Sequence, residues 1–301
     1  MEIPTINGEW MHIYNPNNSK YATKNKGKWY TNDHCFVKGP NGLWHAYGII
    51  GYKKKGLVFS WIIEQHLFHI TSKSLFSDDW TEQDYALTAS KIDGERFAWA
   101  PHALYWNGRF YMFYAVGDLR KFSWLLPSPG KIHMAFSPNG FEWKRYERNP
   151  LVYAHGYARD PMILHTKNEF YMYYTCNTSE IDFNSAVAVK KSKDLIYWTG
   201  PKICHQQPYN FFWNAGDTES PFVVEKNGIY YLFTCTALAK YNNTKVYWSK
   251  DPEWFPRKNF VCDLPTHASE IIFDEKEGWF ISNTGWDKKG LYLARLEWIQ
   301  Q

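Results

Sequence analysis

Three acidic residues stand where the sequence enters a buried strand. Asp33, Asp160 and Glu219 each precede an apolar run that leads into a tight turn. Carboxylates are disfavoured in strands and costly to bury without a partner. Two carboxyl groups on either side of a glycosidic bond can hydrolyse it, because one protonates the leaving oxygen while the other activates water or attacks the sugar. A third negative charge can stabilise the oxocarbenium-like transition state and keep the acid protonated, so the three residues together suggest glycoside hydrolysis.

The elements that must position these acids form a repeat. An apolar run, a turn and an aromatic run recur five times, with turns at positions 41, 107, 168, 227 and 277, which are 66, 61, 59 and 50 residues apart. Asn-Gly at such a turn is a strong hairpin signal, because both central residues of a type I′ turn need positive φ. Each unit has room for four short strands, and four-stranded units around an axis form a β-propeller. We therefore predict an all-β, five-bladed β-propeller with four-stranded blades around a central tunnel, as a single catalytic domain of residues 1–301. The N-terminal segment around residues 10–14 is expected to close the ring against the last blade, and a two-sheet sandwich is the alternative architecture.

Equivalent positions in the five repeats place the acids together. Eight residues before each turn residue stand Asp33, Trp99, Asp160, Glu219 and Ser269. The first strand of each blade lines the tunnel, so we expect these positions to face one another around one mouth of it. Any one acid alone could equally be a turn residue or half of an ion pair. Three acids at one repeat position favour a catalytic role.

The chain resembles glycoside hydrolase family 43 and its five-bladed relatives, families 32, 68 and 117. The resemblance rests on short motifs that open the five blades: Asn32-Asp33, Trp99-Ala100-Pro101-His102, Arg159-Asp160-Pro161, Glu219-Ser220-Pro221-Phe222 and His267-Ala268-Ser269-Glu270. It implies that Asp33 is the general base and Glu219 the general acid. Asp160 would then modulate the pKa of the acid and have an orienting role. Family 43 members usually have Asp-Pro at the first site, whereas this chain has Asp33-His34. Families 32 and 68 place a nucleophilic Asp after Asn, which Asn32-Asp33 matches, so the stereochemistry stays open.

Further residues near the same positions are candidates for substrate binding. Arg159 could hold Asp160 ionised or bind a substrate oxygen, and a purely structural ion pair is equally compatible with its position. The other candidates for contact with the sugar are His34, Trp99, His102, Trp213 and His267. Many family 43 members use a tunnel histidine to hold a calcium or a water cluster, so the resemblance makes His267 a candidate metal ligand. A structural histidine is the alternative there.

The function expected from these features is hydrolysis of furanoside or pentoside linkages, with arabinofuranosyl, xylosyl and galactofuranosyl bonds as the leading substrates. We expect inversion of configuration. A retaining β-fructosidase-like hydrolase and a non-catalytic carbohydrate-binding propeller are the alternatives, and a polysaccharide lyase is a more distant one. The substrate is an oligosaccharide or polysaccharide. No cofactor is required, and a structural calcium near the tunnel axis is the one addition that the resemblance suggests.

The composition excludes several other classes of protein. The 301 residues carry 34 basic and 30 acidic side chains, a net charge of +4, which gives no argument for nucleic acid as a partner. No apolar run is long enough to span a membrane, and the N-terminus lacks the charged-then-apolar pattern of a signal peptide. We therefore expect either an intracellular protein or one whose leader has been removed. Five cysteines at wide spacings suggest buried free thiols rather than a disulfide framework.

Overall fold

Antiparallel strands arranged as a five-bladed β-propeller make up the protein, which confirms the predicted fold class. The computed structural model describes residues 1–23, 27–53, 63–118, 130–153, 158–178, 185–208, 218–236 and 241–300. Within these ranges the helices are two short 3₁₀ turns, Pro16–Asn18 and Arg257–Asn259. None of the helices in the described ranges is long and apolar enough to cross a membrane.

Each blade is a sheet of consecutive antiparallel strands, numbered here along the chain. The N-terminal strand is β1, Glu2–Tyr14. Blade one contains β2 Trp29–Lys38, β3 Trp44–Tyr52, β4 His66–Ser72, β5 Thr81–Glu82 and β6 Leu87–Thr88. Blade two contains β7 Glu95–Trp106, β8 Arg109–Asp118, β9 Lys131–Ser137, β10 Lys144–Arg145 and β11 Val152–Tyr153. Blade three contains β12 Ala158–His165, β13 Phe170–Asn177, β14 Ser185–Ser192 and β15 Lys202–Gln206. Blade four contains β16 Glu219–Lys226, β17 Ile229–Cys235, β18 Thr244–Ser249 and β19 Phe260–Leu264. Blade five contains β20 Ile271–Asp274, β21 Gly278–Asn283 and β22 Leu291–Gln300.

The first hairpin of a blade turns where the sequence predicts it. In blade two, Asn107 and Gly108 have φ of 46° and 83°, and in blade four Asn227 and Gly228 have φ of 54° and 75°. Both central residues of these turns are therefore left-handed, as a type I′ turn requires. Such a turn matches the twist of the strands, which fixes the register of each inner strand.

The ring closes through the two ends of the chain. Strand β1 pairs antiparallel with β22, from Glu2 opposite Gln300 to Tyr14 opposite Leu291. The outermost strand of blade five therefore comes from the N-terminus, as the sequence predicts. This pairing ties the last blade to the first and holds the five inner strands in a closed circle.

Neighbouring blades pack through aromatic side chains. The Trp106 ring meets Phe170 edge-on across blades two and three, with 5.1 Å between centroids. The Tyr231 ring lies 4.7 Å from that of Trp298 across blades four and five. Large rings bury much apolar area each, so these pairs stabilise the contacts between blades. All five cysteines are free, and four of them are buried, which confirms the expectation of unpaired thiols.

Candidate active site

A break in the regular strand pairing occurs near the start of the inner strands. In blades one to four the register jumps between Thr31 and His34, Trp99 and His102, Arg159 and Met162, and Glu219 and Phe222. At the break, left-handed backbone with φ between 43° and 54° occurs at Ala100, Asp160, Ser220 and, in blade five, Ala268. Such bulges bend a strand and re-aim its side chains. The repeated break therefore turns the residues of the opening motifs toward the central channel.

The bulges show that the three acids do not occupy the equivalent positions in their blades that the count from the turns predicts. Aligned on them, Glu219 precedes the bulge position, Asp160 occupies it, and Asp33 follows it. The three acids thus stand at three successive positions and not at one shared position. Counting back from the turns misses this, because the loop from β2 to β3 is longer than the loop from β7 to β8.

Two donors join the three carboxylates into one cluster. Arg159 donates from Nη1 to Asp160 Oδ2 at 2.6 Å and from Nη2 to Glu219 Oε1. Ser220 donates from Oγ to Asp33 Oδ1 at 2.5 Å and from its backbone N–H to Asp160 Oδ2 at 3.2 Å. The Thr175 hydroxyl adds a third bond to Asp160 at 3.0 Å. Asp33, Asp160 and Glu219, drawn from blades one, three and four, therefore surround one point at the mouth of the channel.

Burial gives the three carboxyl groups unusual acidities. Burial, together with the negative charges of Asp160 and Asp33, raises the pKa of Glu219 to about 7, although Arg159 opposes this. Burial also raises the pKa of Asp33, and the bond from Ser220 and the charge of Arg159 pull it back down. The pKa of Asp160 is likewise raised by burial and lowered by Arg159. Glu219 can therefore hold a proton near neutrality, as a proton donor must.

A fourth carboxyl group lies beside the cluster. Glu64, which is 1% exposed, accepts a hydrogen bond from the Tyr30 hydroxyl at 2.6 Å. Burial and the nearby charge of Asp33 raise the pKa of Glu64 to about 8. Sequence reasoning missed Glu64, because it lies outside the opening motifs of the repeats and carries no local signal. Glu64 therefore lies close enough to Asp33 to feel its charge, and it stays largely protonated at neutral pH.

An aromatic stack forms the wall between blades four and five. The Tyr241 ring stacks on His267 at 3.7 Å and lies 5.3 Å from the ring of Trp286. The Tyr241 hydroxyl donates to Asn32 Oδ1 at 3.2 Å and accepts from the backbone N–H of Trp286 at the same distance. This network fixes the residue that precedes Asp33. Tyr241, like Glu64, is a site residue that the sequence patterns did not single out, and Ser220 appeared there only as a member of the motif that begins with Glu219.

The predicted substrate-binding histidines lie deep in the channel wall. His34, 2% exposed, contacts Ser282 Oγ through Nε2 at 2.7 Å, and burial lowers its pKa to about 3. His102 Nδ1 is 3.9 Å from Glu270 Oε2, and burial lowers the pKa of His102 to about 4. His34 and Glu270 line a small axial cavity with Asp33 and Asp160. Both histidines are thus neutral and buried, so their contact with sugar stays a prediction.

The two tryptophans predicted to contact the sugar, Trp99 and Trp213, differ in what the structure shows of them. Trp99 is 9% exposed, and its ring stacks on Phe97 with 3.5 Å between centroids. That packing gives Trp99 a structural role in blade two and leaves little of the ring for a sugar. Trp213 lies outside the described residues. Arg159 is brought directly to the carboxylates, as the sequence suggests.

The described side chains do not form a metal centre. His267 donates from Nδ1 to the carbonyl of Tyr241 at 2.9 Å, and burial lowers its pKa to about 4. Within the described ranges, no three His, Cys, Asp or Glu side chains gather so as to hold a metal ion. These residues therefore do not fit the calcium suggested by the resemblance, and a calcium held by His267 stays a prediction from the sequence.

Comparison with known families decides the kind of protein. A family model described as the glycosyl hydrolases family 32 N-terminal domain matches residues 26–250, well over half of the chain. The chain belongs to glycosyl hydrolase family 32. Family 32 is one of the relatives that the opening motifs suggest, and the match includes all three acids. The protein is accordingly a glycosidase, and carbohydrate is its substrate class.

Solved structures of related propellers share the fold at low sequence identity. The β-xylosidase RS223 is 15% identical over 97% of this chain and 95% of its own, with a TM-score of 0.70. The Lactobacillus brevis α-L-arabinofuranosidase is 11% identical over 89% of this chain and 90% of its own, with a TM-score of 0.66. The Bombyx mori family 32 β-fructofuranosidase is 17% identical over 90% of this chain and 60% of its own, with a TM-score of 0.65. At these identities the likeness shows the fold alone. No curated protein matches the sequence significantly.

Proposed function

We propose that the protein hydrolyses furanoside or pentoside linkages, with arabinofuranosyl, xylosyl and galactofuranosyl bonds as the leading substrates. The observation that carries this proposal is the cluster of Asp33, Asp160 and Glu219 joined by Arg159 and Ser220. Similar propellers, a β-xylosidase and an α-L-arabinofuranosidase, support the choice of sugar and a family 43-like activity.

In this mechanism Glu219 protonates the leaving oxygen. Its raised pKa keeps the proton on the carboxyl until the bond breaks, and the charge that develops on the sugar is stabilised by Asp160. Arg159 bridges Asp160 and Glu219, so it holds the donor and the stabilising carboxylate in fixed relation. As the glycosidic bond breaks, the electron pair goes to the leaving oxygen, which takes the proton of Glu219.

Asp33 acts on the opposite face of the sugar. In the inverting mechanism it removes a proton from water as that water attacks the anomeric carbon. Burial raises the pKa of Asp33, which makes it a better proton acceptor and favours this role. The proton that Asp33 receives is then released to solvent, and Glu219 regains one.

The second candidate is a retaining β-fructofuranosidase-like hydrolase in which Asp33 is the nucleophile. Two observations favour it, the family 32 match and the Asn32-Asp33 pair at the first site. Asp33 would then form a covalent bond to the sugar, which water cleaves in a second step.

A screen followed by product analysis tests both candidates. Aryl furanosides, aryl pentosides and fructose-containing oligosaccharides are incubated with the wild type and with Asp33→Asn as the inactive control. Proton NMR of the first-formed sugar then gives the anomeric configuration. Inversion supports the general base, whereas retention or labelling of Asp33 by a fluorosugar supports the nucleophile. Absence of hydrolysis across the whole panel would reject both.

A further inference from the structure

A second polar cavity is formed by blade two and by the segment that leads into it, apart from the three carboxylates. Its volume is about 320 Å³, and it lies against the face of blade two near the starts of β7 and β9. Arg145 links the two blades there, because its Nη2 donates to the carbonyl of Thr88 in β6 at 2.6 Å. The inner strands start at this end, so the cavity shares a face with the carboxylates. Along β7, Glu95 and Ala100 are roughly 16 Å apart at the usual rise per residue.

Two residues that line this cavity, His133 and Arg145, belong to a hydrogen-bond network around Glu95. The Glu95 carboxylate accepts bonds from Tyr114 Oη at 2.8 Å, His133 Nδ1 at 3.2 Å and Arg145 Nη2 at 2.8 Å. Burial alone would raise the pKa of Glu95, but the bonds from His133 and Arg145 lower it to about 2. Glu95 is therefore ionised and saturated with donors. A ligand would meet the outward-facing atoms of its partners and not Glu95 itself.

Two of these partners keep unused hydrogen-bonding atoms. His133 lines the cavity with its side chain more than nine-tenths buried, and within the described chain only its Nδ1 has a partner. Its Nε2 is left for a ligand. Arg145 uses Nε and Nη2 for Glu95 and Thr88, while among the described residues Nη1 has no hydrogen bond. A preformed cavity that presents unused polar atoms is what a small polar ligand needs.

The charges around the cavity favour a neutral ligand with many hydroxyl groups. Asp93 and Glu147 line the cavity as acidic residues and Lys131 and Arg145 as basic ones, and Arg145 is already bound to the Glu95 carboxylate, so an anion gains no net attraction. Carboxylates accept hydrogen bonds from hydroxyls, and guanidinium or ammonium groups donate to them. Tyr146 adds an aromatic side chain to the wall, and such rings suit the apolar face of a sugar. We propose that this cavity binds a sugar unit of the same substrate chain, away from the bond that is cleaved.

This proposal rests on the proposed function, since it assumes a carbohydrate chain long enough to extend from the carboxylates across blade two. It makes the cavity a specificity site for longer substrates. A single-sugar aryl glycoside fills only the catalytic cluster. A polymer or long oligosaccharide also reaches the cavity and gains affinity there.

The test removes two exposed acidic side chains of the cavity and keeps the donors Tyr114, His133 and Arg145 that bind Glu95, while Arg145 loses its ion pair with Asp93 at 3.5 Å. The cavity variant is Asp93→Ala with Glu147→Ala, and the matched control is Asp79→Ala with Glu142→Ala, which makes the same charge change at exposed positions outside the cavity. For the cavity variant we expect KM on the longest substrate to rise about tenfold, with kcat/KM on the aryl glycoside unchanged. The control should match the wild type on both substrates. Equal KM values for the cavity variant and the control on the long substrate would overturn the proposal.

Direct binding separates a failure of this inference from a failure of the proposed function. Arabino-, xylo- and fructo-oligosaccharides are titrated calorimetrically into Glu219→Gln protein, with and without the cavity substitutions. Weaker binding that is specific to the cavity substitutions supports the site even if the wild type cleaves none of these sugars. Hydrolysis of aryl glycosides combined with unchanged oligosaccharide binding rejects the cavity and leaves the proposed function standing. Binding of inorganic phosphate in place of oligosaccharides would identify an anion site and also reject the proposal.

Discussion

Replacing Ser220 by alanine should raise the pH at which the protein becomes active. Ser220 Oγ donates to Asp33 Oδ1, and that bond favours the ionised form of Asp33. Without the hydroxyl, Asp33 holds its proton to higher pH, and a protonated Asp33 can neither activate water nor attack a sugar. The acid limb of the kcat/KM profile should therefore move to higher pH, whichever role Asp33 has.

The size of this shift follows from the strength of one hydrogen bond. A hydrogen bond to a charged acceptor contributes about 1.5–3 kcal/mol, and one pKa unit corresponds to about 1.4 kcal/mol. Loss of the Ser220 bond thus raises the pKa of Asp33 by about one to two units. The lower end is expected, since the charge of Arg159 continues to stabilise ionised Asp33 in the variant.

The substitution is suited to the backbone at this position. Ser220 has φ of 45°, and alanine already occupies the equivalent bulge positions at Ala100 and Ala268, with φ of 43° and 46°. Alanine therefore fits this conformation in the same fold, and the backbone N–H that donates to Asp160 is kept. A change in activity can be ascribed to the hydroxyl.

Ser269→Ala provides the matched control. Ser269 is buried and lines the same axial cavity, but in the described chain its hydroxyl has no hydrogen-bond partner. Profiles of kcat/KM against pH are recorded on one aryl glycoside for the wild type and both variants. Only Ser220→Ala should move the acid limb. An unmoved acid limb in an active Ser220→Ala protein, or equal shifts in both variants, would refute the reasoning.

Other charged groups lead to further expectations. The activity of the wild type should fall as pH rises through about 7, the pKa of Glu219. The Glu219→Gln variant should not show this fall, and its kcat should be roughly 100-fold lower or more on substrates with poor leaving groups, with little loss on activated aryl glycosides. Equal losses on both kinds of substrate would exclude Glu219 as the acid. Arg159→Gln removes a charge that lowers the pKa of both Asp33 and Glu219, so both limbs should move to higher pH, and an unchanged alkaline limb would contradict this. His45 and His69, hydrogen-bonded to each other at 2.9 Å, have pKa values lowered by burial to about 4 and about 3. As pH falls, these histidines are protonated in the unfolded chain before they are protonated in the folded protein. The free energy of unfolding measured in urea should therefore fall from pH 6.5 toward 4, by up to about 1.4 kcal/mol per pH unit for each histidine. The His69→Gln variant should show a smaller slope.

The fold could be predicted because it repeats. Turn chemistry at Asn107-Gly108 and Asn227-Gly228 is local, and five turns at similar intervals leave few architectures other than a propeller. The pairing of β1 with β22 follows from the need to close the ring. The identities of Asp33, Asp160 and Glu219 were also accessible, since an acid at the start of an apolar run is unusual in sequence.

The exact arrangement of the site was not accessible from the repeat, because it depends on departures from the repeat. Relative to the bulges the acids are offset from one another by one or two residues, and a count from loops of unequal length cannot detect such an offset. Ser220 follows Glu219 in sequence, yet it acts on Asp33 from another blade. Glu64 has no motif at all, and its carboxyl is held by the hydroxyl of Tyr30, which comes from the same strand as Asp33. Residues that contact across blades are set by the geometry of the whole ring, so a pattern within one blade identifies the acids but not the groups that set their charge.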